Sequence, residues 1–264
     1  MRAAWLTDIH LNFLRTDDMY GFLEALWAMN VDAFLISGDI AEAMDIIYYL
    51  QKIDAALDRP VFFVLGNHDY YHGSIRNVRE QVVQFCAEHP KFHYLTSEGA
   101  FELSPGVALV GHDGWADARL GDYEKSVVMM ADYEWIEELV PGGRKGRWET
   151  LKQLGDEAAA HIYEVLPPAL EKYPQAVLLT HVPPTRESCW YAGKLSDDNW
   201  APHFTCKAMG DAIVKIMREY PQRKLTVLCG HTHGRGTCNP LPNVTIFTGG
   251  ALYGQPAVER VFTF

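Results

Sequence analysis

Five short islands of aspartate, asparagine and histidine punctuate this chain: Asp8-Ile9-His10, Gly38-Asp39, Gly66-Asn67-His68-Asp69, Thr180-His181 and Gly230-His231-Thr232-His233. They offer carboxylate oxygen, amide oxygen and imidazole nitrogen, a donor set suited to borderline divalent cations such as Mn²⁺, Fe²⁺ and Zn²⁺. No cysteine stands among them, which disfavours a closed structural zinc site. An isolated Asp or His after a strand commonly caps a helix or closes a turn, and Gly-Asp is a frequent turn pair. Five such islands, each behind an apolar run, are not explained by capping. Residues i and i+2 of an extended segment can point to one side, so Asp8 and His10 can share one ion. His231 and His233 have the same spacing and can instead splay onto two neighbouring ions. Glycines before Asp39, Asn67 and His231 permit sharp turns and close backbone approach.

The islands need elements to hold them. Apolar runs at 3–6, 33–36, 61–65, 107–110, 176–179, 225–229 and 244–247 have the length and side-chain type of buried strands. Helix-like segments at 19–29, 43–57 and 74–88 separate the early runs, with Ser74 placed to cap the third. This alternation is the doubly wound α/β pattern, in which ligands bind outside the carboxyl ends of the strands. Runs at 92–95, 100–103 and 107–110 break it as consecutive strands, with Ser104-Pro105-Gly106 as one turn. With a last strand inside 257–264, they indicate a second sheet packed on the first.

Residues 112–168 are rich in charge and aromatics and end at Pro167-Pro168. They read as a helical, cap-like insertion over the sheet, within a single domain covering 1–264, with Pro141-Gly142-Gly143 as its central break. The irregular stretch 183–204 is long for a connection in a compact domain, and such loops often carry function.

Composition narrows the function. Hydrophobic residues make up 48% of the 264, enough for a substantial core. The net charge of -11 works against tight binding to nucleic-acid backbone, which needs basic surface for counterion release. A small phosphorylated substrate is still compatible, because bound cations reverse the local field. The odd count of five cysteines, with no C-x-x-C pair, fits a reduced, cytoplasmic setting. No apolar stretch approaches the roughly 20 residues needed to span a bilayer, and no signal-type segment opens the chain.

The ordered set D-x-H, G-D, G-N-H-D, H and G-H-x-H, spread from residue 8 to 233, resembles the calcineurin-like metallophosphoesterases, the binuclear metallophosphoesterase family. The resemblance implies a four-layer α/β/β/α sandwich of two mixed sheets with the site where the sheets meet. It implies that Asp8, His10 and His233 bind one ion, Asn67, His181 and His231 the other, and that Asp39 bridges them. It further implies that His68 stands near the leaving group without binding metal, oriented by Asp69. Gly38-Asp39-Ile40-Ala41-Glu42-Ala43 and Leu65-Gly66-Asn67-His68-Asp69 depart from the protein Ser/Thr phosphatase branch, which has G-D-x-V-D-R-G and R-G-N-H-E. A phosphoprotein substrate is therefore disfavoured. His68 stands where the lipid-precursor pyrophosphatase branch has Arg, which disfavours that branch too.

The expected chemistry is hydrolysis of a small phosphomonoester or phosphodiester, nucleotide-like in one version, with manganese, iron (Fe²⁺ or Fe³⁺) or zinc as the ion pair. Two cations about 3.5–4 Å apart generate a bridging hydroxide for in-line attack on phosphorus. A protonated His68 would then stabilise the developing charge or protonate the leaving oxygen. Candidate substrate contacts are Asn12, two residues past His10, Trp115 as a pocket wall, and Arg186 and Trp190 in the 183–204 loop. That loop's aromatics equally suit a homo-oligomer contact. A nuclease, or a non-catalytic scaffold of the same fold, are the competing readings; the acidic charge opposes the first and the full ligand set the second.

Overall fold

The computed structural model describes residues 1–264. The chain begins β1 (Arg2–Leu6), α1 (Thr16–Trp27), β2 (Ala33–Ser37), α2 (Ile46–Ala56), β3 (Val61–Val64), α3 (Ile75–Glu88), β4 (Phe92–Tyr94). Ser74 caps α3, its side chain accepting the backbone N–H of Asn77. There follow β5 (Phe101–Ser104), β6 (Val107–Gly111), the short α4 (Asp132–Trp135), α5 (Gly143–Lys172) and β7 (Gln175–Leu179). A small hairpin, β8 (Trp190–Tyr191) and β9 (Lys194–Leu195), leads to α6 (Ala201–Phe204) and α7 (Lys207–Glu219). The chain closes with β10 (Lys224–Cys229), β11 (Gly236–Leu241), β12 (Val244–Thr248) and β13 (Arg260–Thr263).

The strands form two mixed sheets, ordered β13-β1-β2-β3-β4 and β11-β12-β10-β7-β6-β5. Period-two alternation sorts their side chains into layers. Ala3, Trp5, Ala33, Leu35, Phe62 and Val64 face Leu109, Val177, Leu179 and Leu228 between the sheets. The intervening residues Ala4, Leu6, Phe34, Ile36 and Phe63 pack outward on α1, α2 and α3. On the second sheet Ala108, Val110, Ala176, Leu178 and Val227 do the same beneath α5 and α7. Each large aliphatic side chain buried this way stabilises by about 1.5–3 kcal/mol. The result is the expected α/β/β/α sandwich.

Several expectations change in detail. The strand at 92–94 belongs to the first sheet, pairing parallel with β3, while β5 and β6 pair antiparallel in the second. Residues 112–131 hold no helix or strand. The rest of the 112–168 stretch is dominated by the 30-residue α5, which does not stop at Pro167-Pro168 but runs on to Lys172. Its buried stripe of Ile162, Leu166, Ala169 and Leu170 spans the proline pair, so packing on the second sheet holds the helix through its last turns. No helix is long and apolar enough to cross a membrane.

Candidate metal centre

All five islands lie at carboxyl ends of parallel strands. Asp8 and His10 follow β1, Asp39 follows β2, and Asn67 and His68 follow β3, three neighbours in one sheet. His181 follows β7, and His231 and His233 follow β10, neighbours in the other. Backbone hydrogen bonds join the loops within each sheet: Asp8 N to Gly38 O (3.0 Å), His10 N to Asp39 O (3.0 Å), Gly230 N to His181 O (2.8 Å). Two further bonds stitch the sheets together: His231 N donates to Asp8 Oδ1 at 3.0 Å, and His181 Nδ1 to the carbonyl of Ser37 at 2.9 Å. Two glycines are obligatory here. A Cβ on Gly66 would stand 2.1 Å from Asp39 Oδ1, and one on Gly230 would stand 2.1 Å from Asp8 Oδ2.

The backbone is strained where the donors sit. Among the eight non-glycine residues with positive φ, five are Asp8, His10, Asp39, His231 and His233. Each such conformation costs on the order of 1–3 kcal/mol, and glycine would relieve it. The side chains are retained against that cost, which points to a role for them beyond packing.

The donors converge in two groups around Asp39. Ligand atoms of Asp8, His10, Asp39 and His233 all lie within 4.8 Å of one another. In the other group His181 Nε2 lies 3.3 Å from Asp39 Oδ1 and 3.1 Å from Asn67 Oδ1, and His231 Nδ1 lies 2.8 Å from Asn67 Oδ1. The tautomers follow from the partners. His181 Nδ1 and His231 Nε2 each face a backbone carbonyl, of Ser37 and His203, and must donate to it, which leaves His181 Nε2 and His231 Nδ1 bare. The orientation of Asn67 is equally determined, because its Nδ2 lies 2.9 Å from Asp132 Oδ1, an atom that can only accept. The two bare nitrogens and the Asn67 amide oxygen thus point at one another with no proton between them. A cation satisfies that arrangement, and the donor set fits a divalent one.

Electrostatics favour the same reading. Burial, with His233 and His181 nearby, pushes His10 down to about 3 against the pull of Asp8. Burial and His181 push His231 down to about 4. Burial raises Asp39 well above the usual carboxylate range, helped by Asp8. Asp8 is held low: burial opposes its charge, but its contacts with the surrounding histidines, the hydrogen bond from His233 first, outweigh it. A 300 Å³ cavity opens beside Asp8 and His233, and His233 is the most exposed of the seven donors at 22%.

Other residues take unexpected parts. Asp69 does not orient His68. Its Oδ1 accepts the backbone N–H groups of Ile40 and Ala41 at 2.8 and 2.7 Å, and its Oδ2 that of Gly66 at 2.8 Å. The turn after β2 buries those amides, and a carboxylate is the acceptor they find. His68 Nδ1 has no partner, and its Nε2 lies 3.4 Å from the Tyr253 hydroxyl. Burial and then His10 and His181 push its pKa to about 2, so the ring is neutral rather than protonated.

The expected substrate contacts fare differently. Trp115 is not a pocket wall; it is 4% exposed in the core beneath the first sheet, its ring 5.5 Å from that of Tyr70. Asn12 donates to Glu42 at 3.2 Å. Arg186 is engaged by the exposed Asp198 at 2.7 Å. Trp190 lies against Gly234 and Gly236.

Sequence reasoning missed three residues. Asp132 anchors Asn67 and accepts the Tyr71 hydroxyl at 2.7 Å. Tyr253 covers His10, ring centroids 4.6 Å apart, and packs against Phe13 at 4.8 Å. Asp113, fully buried, accepts from Tyr70, Tyr94, Thr96, Arg79 and the backbone of Leu65, while its own carbonyl takes the N–H of His181. Tyr253 had a signal, the Gly249-Gly250 pair closing a strand; Asp132 lay in a segment with none.

The sequence profile of the calcineurin-like phosphoesterases matches residues 1–235. No curated relative matches the chain. Among solved structures, phosphopantetheinyl hydrolase from Mycobacterium tuberculosis is similar at TM-score 0.67 and 16% identity, over 96% of this chain and 89% of that one. A dimetal phosphatase from Danio rerio is similar at TM-score 0.56 and 14% identity, over 95% and 87%. At these identities the likeness speaks for the fold.

Proposed function

This chain belongs to the calcineurin-like phosphoesterase family and is a binuclear metal-dependent hydrolase, and from that premise we propose that it cleaves a small phosphomonoester or phosphodiester at the Asp39-centred site. The observation that carries this reading is the convergence of carboxylate, amide-oxygen and imidazole donors from two sheets around Asp39.

In this reading Asp8, His10 and His233 would hold one divalent ion and Asn67, His181 and His231 the other, with Asp39 close to both sets. Ions there would polarise phosphoryl oxygens and acidify water. The chain's own residues supply the rest. The backbone carbonyls of Ser37 and His203 fix the two histidine tautomers by accepting Nδ1–H of His181 and Nε2–H of His231. Asp132 aims the amide oxygen of Asn67 by holding its nitrogen. Asp69 is a positioning residue that ties the Asp39 turn to the Asn67 turn through amides 40, 41 and 66. His68, neutral and beside His10 with ring centroids 4.6 Å apart, donates an imidazole N–H to a phosphoryl or leaving-group oxygen. Phe13 and Tyr253, each about half exposed, form an apolar lip at the mouth that excludes water from a bound ester.

The metals are manganese, iron or zinc, and the setting is cytoplasmic, in keeping with free cysteines throughout. Mn²⁺-loaded protein assayed on p-nitrophenyl phosphate, bis-p-nitrophenyl phosphate and cyclic nucleotides tests the reading. Turnover of at least one ester class is expected, and none on any would overturn it.

A further inference from the structure

A second, separately built pocket of 240 Å³ lies between the start of α5 and the irregular 112–131 stretch, lined by Tyr123, Met129, Tyr133, Arg144, Arg147 and His203. Two guanidiniums face it in a chain whose net charge is -11, and neither has a carboxylate within salt-bridge distance. Arg144 spends one terminal nitrogen on the carbonyls of Tyr123 and Ser126. Arg147, only 8% exposed, spends its Nε on the carbonyl of Leu139, and its guanidinium sits beside the Tyr123 hydroxyl. That hydroxyl, on a side chain 4% exposed, makes no well-aligned hydrogen bond within the protein.

Both guanidiniums open onto the pocket rather than onto a carboxylate, Arg144 from the exposed rim and Arg147 from deeper in the wall. Stacking holds them there: Arg147 lies 4.1 Å above the Tyr133 ring and Arg144 5.2 Å above that of Tyr123. It satisfies none of the N–H groups. The imidazole of His203 cannot help, since its Nε2 is engaged by Ser126 Oγ and its Nδ1 by the Tyr133 hydroxyl. What the pocket lacks is an acceptor bearing negative charge, with several oxygens for several donors.

We propose that Arg144 and Arg147, with the Tyr123 hydroxyl, form a binding site for an oxyanion, a phosphate group carried by a small molecule or free in solution. The pocket adjoins the Asp39-centred site at two points. The His203 carbonyl takes the Nε2–H of His231 at 3.1 Å, and Tyr133 follows Asp132, which holds Asn67. The proposal stands independently of the metal-centre reading, and its test separates the two.

The test titrates the Mn²⁺-loaded protein with inorganic phosphate by calorimetry, comparing wild type with Arg144→Met and Arg147→Lys. Wild type is expected to bind one phosphate that Arg144→Met weakens about tenfold or more, with Arg147→Lys, which keeps the charge, weakening it less. A phosphate insensitive to both variants is at the metal centre; finding only that one overturns the proposal, as does finding no phosphate bound. If the metal-centre reading alone fails, the arginine-sensitive phosphate is still titrated. The source is read from KM. In Arg144→Met the KM for a nucleoside 3′,5′-bisphosphate, taken relative to that for p-nitrophenyl phosphate, rises about tenfold if the anion is the substrate's second group. The ratio stays constant if the anion is free. Either outcome, with the arginine-sensitive phosphate, supports the site.

Discussion

The amide oxygen of Asn67 lies 2.8 Å from Nδ1 of His231, and neither atom has a proton to share. The amide's hydrogens are turned to Asp132 and Tyr71, and the imidazole's hydrogen to the carbonyl of His203. Two lone pairs held face to face repel unless a cation lies between them, so the contact defines where positive charge belongs.

The Asp39 carboxylate lies close to both donor groups. Asp39→Ala is expected to lose bound metal from the purified protein, read by elemental analysis, with turnover falling alongside. Retention of both ions at wild-type level would refute its place between them.

Asp132 is expected to act at one remove. Asp132→Ala frees the amide of Asn67 to rotate and should weaken metal affinity about 10–100-fold, the usual cost of removing a group that orients a ligand. Titration against a competing chelator measures this; unchanged affinity would leave Asp132 a purely structural residue.

His68 should separate metal binding from chemistry. His68→Ala is expected to keep near-normal metal content while kcat drops by about 10²–10⁴. Because the ring is neutral in its surroundings, the kcat profile of the native enzyme should show no acid limb from His68 near pH 6–7. Loss of metal in this variant would reassign His68 as a ligand.

Acid should destabilise the chelator-treated protein. His10, His203 and His231 are depressed to about 3, 4 and 4 from 6.5, so each contributes stability fully present above 6.5. That stability is lost as pH falls towards 4, because the unfolded chain takes up protons the native state refuses. Asp39 and Asp69, raised by burial, and more weakly Glu42, Asp45, Glu98 and Asp117, work the other way. Against them His68, His161 and His181 are depressed as well, and Asp8, Asp113 and Glu157 are held low, which adds to the loss in acid. The melting temperature is expected to fall steadily from pH 7 to 4, and a flat profile would contradict the burial of these rings.

Asp113 carries a structural load. Burial opposes its charge, but the Arg79 guanidinium 3.1 Å away and then His112 hold its carboxyl below the usual range. Asp113→Ala leaves Arg79 with Glu157 as its one carboxylate and takes the acceptor from the buried hydroxyls of Tyr70 and Tyr94, and should cost about 3 kcal/mol of stability in denaturant unfolding.

What the sequence determined by itself was whatever is local. Short continuous apolar runs marked the strands now seen at β1, β2, β3, β6, β7, β10 and β12, and the donor islands behind them pointed to the chemistry. Strand polarity then required those islands to gather at one edge of each sheet. Tertiary structure alone decided the rest. Asp69 is the residue next to His68 in sequence, yet its carboxylate went to amides 40, 41 and 66, because a buried N–H demands an acceptor wherever the fold brings one. Trp115 was drawn into the core because only the packed sheet shows which side of its loop is apolar. Asp132, Tyr253 and the Arg144–Arg147 pocket each depend on contacts between segments far apart in the chain. Spacing encodes which residues share a face; it does not encode which faces meet, and that is settled by packing.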